Sequence, residues 1–154
     1  MADQNGPLAS NRRARFNYSI LDTFEAGMVL RGSEIKSLRE GRGNISEAYV
    51  RIDNGEAWLL NAHIAPYSAA GVYGEHDPIR PRKLLLHRKE LTRLVAAAER
   101  DRLTIVPLRI YIKNRVAKVL IGLAKGKQQA DKRDTIRQRD AQREMQRAMK
   151  ARVT

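Results

Sequence analysis

The sequence predicts a small, mainly β domain with short helices, followed by a basic tail. Six short segments are rich in β-branched and aromatic residues, Asn54-Gly55 is a typical two-residue hairpin turn, and the composition changes sharply after residue 124. At 154 residues the chain suits one domain with an appendage. We divide it into a flexible basic segment at 1–15, a β domain at 16–124 and a tail at 125–154.

Each predicted strand is a short apolar or alternating run bounded by turn formers. The six runs are Phe16–Leu21, Ala26–Leu30, Ala48–Ile52, Ala57–His63, Thr104–Tyr111 and Val116–Ala124, and Pro107 favours a break within the fifth. Asn54-Gly55 accepts the positive φ that a type I′ turn needs at both central residues, and Lys113-Asn114-Arg115 predicts a second turn. Six short strands with two helices indicate a small, partly closed β-barrel.

Alternation within the fifth strand predicts a sheet with one buried and one solvated face. The buried side reads Leu108, Ile110 and Ile112, and the solvated side reads Arg109, Tyr111 and Lys113. Trp58 lies between Ala57 and Leu59-Leu60, so we assign its indole to the core.

Two helices interrupt the predicted strands. The first spans Ser33–Arg39, buries Ile35 and Leu38, and stops at Gly41. The second spans His87–Arg102, and its apolar stripe consists of Leu91, Leu94, Val95 and Ala98. Between them, Pro66–Arg82 is rich in Gly, Pro and Ala and is expected to form a long surface loop.

The charge balance indicates a polyanionic partner. Thirty Lys and Arg against 17 Asp and Glu give a formal net charge of +13, and such cations displace counterions from a phosphate backbone. No apolar run approaches the roughly 20 residues of a membrane-spanning helix, and Met1–Arg15 lacks the apolar segment of a secretory signal. The lack of cysteine excludes a disulfide framework and a catalytic thiol. We therefore expect a cytoplasmic protein.

The tail differs in composition from the β domain. It carries ten basic and four acidic side chains and no aromatic residue. These residues favour helix, but like charges recur at Arg139, Arg143 and Arg147, which costs roughly 0.2–0.5 kcal/mol per pair in an isolated helix. A polyanion alongside would reverse this cost. We expect a tail that is largely disordered alone and helical against RNA; a membrane-surface role is disfavoured because the apolar stripe is poor.

No set of residues predicts catalysis. Glu75-His76-Asp77 could bind a metal and serve a metal-dependent nuclease, but the three residues are adjacent in a predicted loop, and we interpret them as solvated. Gly41-Arg42-Gly43 resembles a phosphate loop but follows a helix instead of a strand, so we interpret it as a turn. We expect neither enzyme activity nor a cofactor or metal.

A few residues are candidates for contact with RNA. Lys125-Gly126-Lys127 could bring backbone and charge close to a phosphate, although a solvated strand exit explains it equally well. Tyr18 and Tyr111 could stack on unpaired bases, but half-buried strand tyrosines are the commoner case. Glu25 could accept hydrogen bonds from base amino groups or a ribose hydroxyl, or could form an ordinary salt bridge.

An ordered series of motifs, spread over residues 11 to 150, resembles the small protein B (SsrA-binding protein) family. The series consists of Asn11-Arg12-Arg13-Ala14-Arg15, Phe24-Glu25-Ala26-Gly27, Glu34-Ile35-Lys36-Ser37-Leu38-Arg39, Arg82-Lys83-Leu84-Leu85-Leu86-His87, Gly122-Leu123-Ala124-Lys125-Gly126-Lys127 and Asp131-Lys132-Arg133. The resemblance implies a six-stranded oligonucleotide-binding-like (OB-type) barrel with small flanking helices, which agrees with the layout predicted above.

The resemblance also implies a function. Members bind the tRNA-like domain of transfer-messenger RNA (tmRNA, or SsrA) and deliver it to the empty A site of stalled ribosomes for trans-translation, so that the stalled peptide is tagged and the ribosome is rescued. The tail becomes helical in the vacant mRNA channel near the decoding centre. Elongation factor Tu joins the implied delivery complex, and we expect a monomer. A ribosomal protein, also small, basic and tailed, is the alternative.

Carried over by position, the resemblance implies two sets of site residues. The RNA-facing set is Asn11, Arg12, Tyr18, Glu25, Leu85, Lys118, Lys125, Gly126 and Lys127. The ribosome-engaging set in the tail is Asp131, Lys132, Arg133, Arg137, Arg139 and Arg143. Leu85 is unexpected, because an apolar side chain alone would predict a core position. Ala130 and Ala141 stand where members often carry rings, so stacking through those rings is absent or relocated.

Overall fold

The computed structural model describes residues 6–67, 76–126 and 129–153, with the backbone alone at 129–135 and 150–153. Strands dominate this part of the chain, and four helices accompany them. The strands are β1 (Ala9–Ser10), β2 (Tyr18–Met28), β3 (Gly43–Asn44), β4 (Tyr49–Asp53), β5 (Glu56–Leu60), β6 (His63–Ile64), β7 (Arg82–Leu85), β8 (Thr104–Lys113) and β9 (Val116–Gly126). The helices are α1 (Ala14–Asn17), α2 (Gly32–Arg39), α3 (Arg88–Asp101) and α4 (Gln129–Val153).

Within the described residues, six strands close into a ring. The hydrogen-bonded order is β8, β4, β5, β7, β2 and β9, and β9 pairs again with β8. All of these pairings are antiparallel. β1 adds to β8 outside the ring, and β3 pairs with β6 in a separate two-stranded sheet. The fold is therefore mainly β with a few helices, as the sequence predicted.

The main core fills the inside of the ring. Leu59, Ile110 and Ile121 are fully buried there, and helices α2 and α3 contribute Leu38 and Leu94. Full burial of each such side chain stabilises the fold by roughly 1.5–3 kcal/mol. A smaller cluster lies outside the ring, where α1 covers β2, β8 and β9; its buried members are Ala14, Val106, Leu108 and Ala124.

The hairpin turns and the two longer helices of the domain agree with the sequence predictions. Asn54 and Gly55 have φ values of 50° and 74°, and Asn114 and Arg115 have 53° and 64°, as type I′ turns require. Helix α2 ends just before Gly41, whose φ is 76°. These features follow from local sequence, because turn and cap residues act over a few positions.

The predicted strands need three corrections. Phe16–Leu21 and Ala26–Leu30 are not separate, since β2 runs through both with a bulge between Ile20 and Asp22, and Phe16 itself lies in α1. The ring strand β7 was not predicted at all. His63 belongs to β6, because the chain turns at Asn61 with a φ of 60°. Bulges and four-residue strands are fixed by pairing partners far along the chain, which local patterns do not reveal.

The predicted face or burial is wrong for three side chains. A bulge between Pro107 and Arg109 of β8 turns Leu108 toward the outer cluster, and Tyr111, expected to be solvated, is only 4% exposed. Trp58 is half-buried and does not join the core. Its two neighbours in β5 take the inward positions, so Trp58 faces outward. It pairs there with Arg51 of β4 and Lys83 of β7.

A buried ion pair joins α2 to the start of β7. Glu34 and Arg82 are both fully buried, and Nε of Arg82 donates to Oε2 of Glu34 at 2.7 Å. Arg82 also donates to the backbone oxygens of Ala62 and Pro78 at 2.6 and 3.1 Å. Arg80 donates to Oε1 of Glu34. A buried charge must be paired and hydrogen-bonded, so this network holds the chain that leads into β7.

The set of buried side chains predicted for the first helix was incomplete. Leu38 is buried as expected, but Ile35 is only half-buried, and Glu34 and Ser37 are fully buried. Ser37 donates its hydroxyl to the backbone oxygen of Ala65 at 2.6 Å. The apolar pattern therefore predicted Leu38 correctly, but it overestimated the burial of Ile35 and missed Glu34 and Ser37.

We predict that Glu34→Gln lowers the free energy of unfolding by about 3–5 kcal/mol, because it leaves the Arg82 guanidinium buried without its counter-charge. Glu56→Gln is the matched control, since Glu56 pairs with Lys83 at the surface at 3.2 Å; it should change stability by at most about 1 kcal/mol. Urea unfolding at pH 7 measures both variants. Equal stabilities of the two variants would contradict the role of the buried pair.

Unfolding at low pH should depend on the protonation of the Glu34 carboxylate. Burial raises the pKa of Glu34, but hydrogen bonds from Arg80, the Arg31 amide and Arg82 outweigh burial and hold it below 4.5. The stabilisation is therefore complete above the unfolded-state pKa and is lost as pH falls through the folded-state value. We expect the free energy of unfolding to fall more steeply below pH 4.5 in the parent chain than in Glu34→Gln, as measured by urea unfolding across pH.

Candidate nucleic-acid interface

A concave groove of about 540 Å³ opens on the outside of the ring. β2, β7, β9 and the start of α3 form its walls. It is lined by Glu25, Gly27, Leu85, Leu86, His87, Glu90, Val116 and Lys118. The structure thus brings together three of the residues that the sequence analysis assigned to RNA, namely Glu25, Leu85 and Lys118.

Strand alternation explains why these side chains face outward. Phe24 and Ala26 of β2 point into the core, so Glu25 and Gly27 lie on the outer face. Gly27 pairs with Lys118 of β9 on one side and with Leu85 of β7 on the other. A side chain at Gly27 would lie 3.5 Å from Cβ of Leu85. The glycine therefore keeps the floor of the groove open between a cation and an apolar wall.

Glu25 is held ionised within the groove. Tyr111 donates its hydroxyl to Oε2 of Glu25, and Nζ of Lys113 lies 3.5 Å from Oε1. The hydrogen bond from Tyr111 lowers the pKa of Glu25 most; desolvation opposes it, and the charges of Lys113 and Lys118 support it. The result is a fixed carboxylate that can accept further hydrogen bonds from a ligand.

The groove has an apolar side as well. Leu85 is 55% exposed and Val116 is 47% exposed. Burial of such surface is favourable, so two exposed aliphatic side chains beside one groove indicate a contact surface. The outward position of Leu85 agrees with the family resemblance and not with the core position that its chemistry alone suggests.

The remaining residues of the predicted RNA-facing set lie away from this groove. Asn11 is half-buried, and its amide donates to the backbone oxygen of Pro107 at 3.0 Å, so it supports the bulge of β8. Arg12 is exposed beside it. Tyr18 packs half-buried against the outer cluster and pairs with Gly126, next to Lys125. Lys127 lies outside the described residues.

The tail forms helix α4, which contacts α1. Arg137, Arg139 and Arg143 are exposed on it, and the guanidinium of Arg139 lies 6.0 Å from the ring centre of Phe16. Asp131, Lys132 and Arg133 lie in the helix, but their side chains are outside the described part. The expectation that the tail becomes ordered only against RNA remains a prediction.

The metal-site alternative is not supported by the surroundings of His76. Its ring is buried, with Nδ1 2.9 Å from the Ser33 hydroxyl and Nε2 2.9 Å from the backbone oxygen of Ile64. The expectation of a solvated residue was therefore wrong for His76, although Glu75 lies outside the described residues. No group of three or more His, Asp or Glu side chains could hold a metal ion within the described ranges.

Neither Tyr111 nor Gly27 could be given its role from the sequence. Tyr111 and Glu25 were each candidates for contact with RNA, but they are 86 positions apart, and nothing local indicates that one donates to the other. The β2–β9 and β8–β9 ladders bring them together, since Lys118 pairs with both Gly27 and Tyr111. The strand register was the missing information.

The chain is similar to SmpB proteins, which are also named SsrA-binding proteins. The SmpB protein family model matches residues 8–151. An SsrA-binding protein of Gloeothece citriformis is 54% identical over 97% of this chain and 99% of its own length. One from a Roseiflexus species is 55% identical over 95% of this chain and 92% of its own. A solved chain from work on tmRNA-SmpB in the bacterial ribosome is 48% identical, with a TM-score of 0.66 over 83% of this chain and 93% of that one.

In the described part of the chain, no helix has both the length and the apolar content needed to cross a membrane.

Tyr111→Phe should raise the pKa of Glu25, because it removes the hydrogen bond that contributes most to lowering it. NMR titration of the Glu25 side-chain carboxyl measures the change directly. Tyr49→Phe is the matched control, since Tyr49 lies on β4 away from the groove, and it should leave the Glu25 titration unchanged. An unchanged midpoint in Tyr111→Phe would show that the hydroxyl does not control this carboxylate.

Proposed function

This chain belongs to the SmpB protein family, and on that premise we propose that it binds the tRNA-like domain of transfer-messenger RNA and delivers it to stalled ribosomes for trans-translation. The observation that carries the proposal is the groove in which Glu25, Leu85 and Lys118 meet from three different strands. Relatives about half identical over nearly the whole chain are SsrA-binding proteins, and a similar solved chain comes from a tmRNA-SmpB structure.

The groove offers three kinds of contact to a folded RNA. Lys118 can pair with a phosphate. The ionised Glu25 can accept a hydrogen bond from a ribose 2′-hydroxyl or a base amino group, which distinguishes RNA from DNA at that point. Leu85 and Val116 can pack against a ribose or an unstacked base. Because the strands fix all four positions, the groove is suited to recognise the shape of the RNA more than its sequence.

A second contact zone in this proposal lies where β2 begins and β9 ends. Tyr18 pairs with Gly126 beside Lys125, and Lys127 follows directly along the chain. The small Gly126 leaves room for a phosphate to approach the backbone, and the exposed Lys125 supplies charge. Arg12 extends the basic surface, and Asn11 positions it by bracing the β8 bulge.

We further propose that the tail engages the ribosome. A helix of 25 residues is about 37 Å long, and in this proposal it extends from the A site past the decoding centre into the vacant mRNA channel. Arg137, Arg139 and Arg143 would face ribosomal RNA phosphates there, while Asp131, Lys132 and Arg133 would act after delivery. Elongation factor Tu would accompany the delivery complex.

We also propose that the ring is an OB-type barrel. In the same proposal the protein is a monomer and acts in the cytoplasm. We also propose that the protein catalyses no reaction itself: it positions RNA, and the ribosome carries out peptidyl transfer.

Fluorescence anisotropy with the tRNA-like domain, an ordinary tRNA and a random RNA tests the proposal. We expect selective binding of the tRNA-like domain that persists at higher salt and survives truncation after Lys127. Lys118→Ala should weaken binding roughly ten-fold and reduce the salt dependence by about one phosphate contact, and Glu25→Ala should weaken binding by about 1–3 kcal/mol. Arg100→Ala and Glu99→Ala on α3 are the matched controls. Weak, equal and salt-sensitive binding to all three RNAs would contradict the proposal.

The division of labour between barrel and tail is tested separately. Asp131→Ala combined with Lys132→Ala should leave affinity for the tRNA-like domain unchanged and abolish peptide tagging in a reconstituted translation reaction. Loss of RNA affinity in this double variant would show that the barrel and the tail are not separate in function.

A further inference from the structure

The outer face of the sheet continues beyond the groove. Two positions before Leu85 on the same side of β7 lies Lys83, which pairs with Trp58 of β5, and Trp58 pairs in turn with Arg51 of β4. Next to Lys83 lies Val29, whose amide donates to the Lys83 backbone oxygen at 3.0 Å. We call this row of Val29, Lys83, Trp58 and Arg51 the Trp58 strip.

The strip has the composition of a contact surface. The core does not use the indole, because Ala57 and Leu59 occupy the inward positions of β5 with exposures of 2% and 0%. Trp58 is instead half-buried between two basic side chains. Val29 is 47% exposed beside them, and Arg51 is exposed. An aromatic ring between two cations can hold a base against the ring and phosphates against the charges.

An internal role explains the strip less well. The stems of Arg51 and Lys83 shield part of the indole, as long basic side chains do on sheets. Shielding does not, however, require that both neighbours of the indole carry the same charge. The Lys83 ammonium has a partner in Glu56 at 3.2 Å, at a surface where such pairs are weak. A polyanion would satisfy both cations together, in a chain whose net charge is +13.

We propose that the Trp58 strip is a second contact surface for the RNA held in the groove, an inference that rests on the proposed function. The indole packs against an unpaired base or a ribose, and Arg51 and Lys83 lie next to phosphates. The strip and the groove share β7, so one RNA can reach both without any change in the ring.

The chain carries its own probe for this contact, because Trp58 is its single tryptophan. Unlabelled tRNA-like domain is titrated into the full chain while Trp58 emission and its quenching by acrylamide are followed, and a labelled RNA gives the anisotropy in parallel. We expect a saturable change in emission with the same midpoint as the anisotropy, and a fall of about two-fold or more in acrylamide quenching.

Saturating anisotropy with unchanged emission and unchanged acrylamide quenching would overturn the strip and leave the proposed function standing. If no RNA binds by anisotropy, both proposals fall together.

Variants add an independent measurement. Arg51→Ala removes an exposed side chain, so the fold is retained; it should weaken binding about three- to ten-fold and lower the salt dependence by about one phosphate contact. Arg100→Ala on α3 is the matched control, because its guanidinium is exposed and pairs only with the adjacent Asp101 among the described residues. Equal affinity and salt dependence in the two variants would overturn the proposal.

Discussion

The buried ion pair between Glu34 and Arg82 is the constraint on which much of this molecule depends. Arg82 is the first residue of β7, and β7 is the short strand that joins β5 to β2 and so completes the ring. A pair with no exposed surface is costly unless every partner is in place, which makes its geometry strict. Three positions after Arg82, the same strand presents Leu85 to the groove. The same buried ion pair therefore supports both the closed ring and the position of the groove residue on β7.

The ring in turn gives the interface its rigidity. The groove collects an ionised carboxylate, an ammonium and two aliphatic side chains from three strands, which ladder hydrogen bonds hold together. Such a surface can distinguish one folded RNA from another by shape, whereas the exposed arginines of the tail provide charge with little geometric restriction. A closed ring of strands that would select its RNA and an exposed basic helix that would engage the ribosome match the proposed role in ribosome rescue.

Much of the architecture followed from local sequence, because hairpin glycines, helix stripes and the change of composition at the tail act over a few residues. The errors occurred where strand partners far along the chain determine the local structure. A bulge at Leu21 interrupts one long strand, which the sequence predicted as two. The strand β7 was too short to be predicted, and the bulge beside Leu108 turned that one side chain to the opposite face. For the site, charge indicated a polyanion and the family resemblance selected Leu85, but the Tyr111–Glu25 hydrogen bond and the outward Trp58 follow from register alone.

The central claim is that the outer face of β2, β7 and β9 is the surface that binds RNA. Amide chemical-shift mapping of the chain on addition of the tRNA-like domain tests it most directly, because each residue reports separately. We expect the largest changes at Glu25, Gly27, Leu85 and Lys118, with little change at the exposed end of α3 around Glu99 and Arg100. Changes concentrated on α3, with the groove residues unaffected, would contradict it.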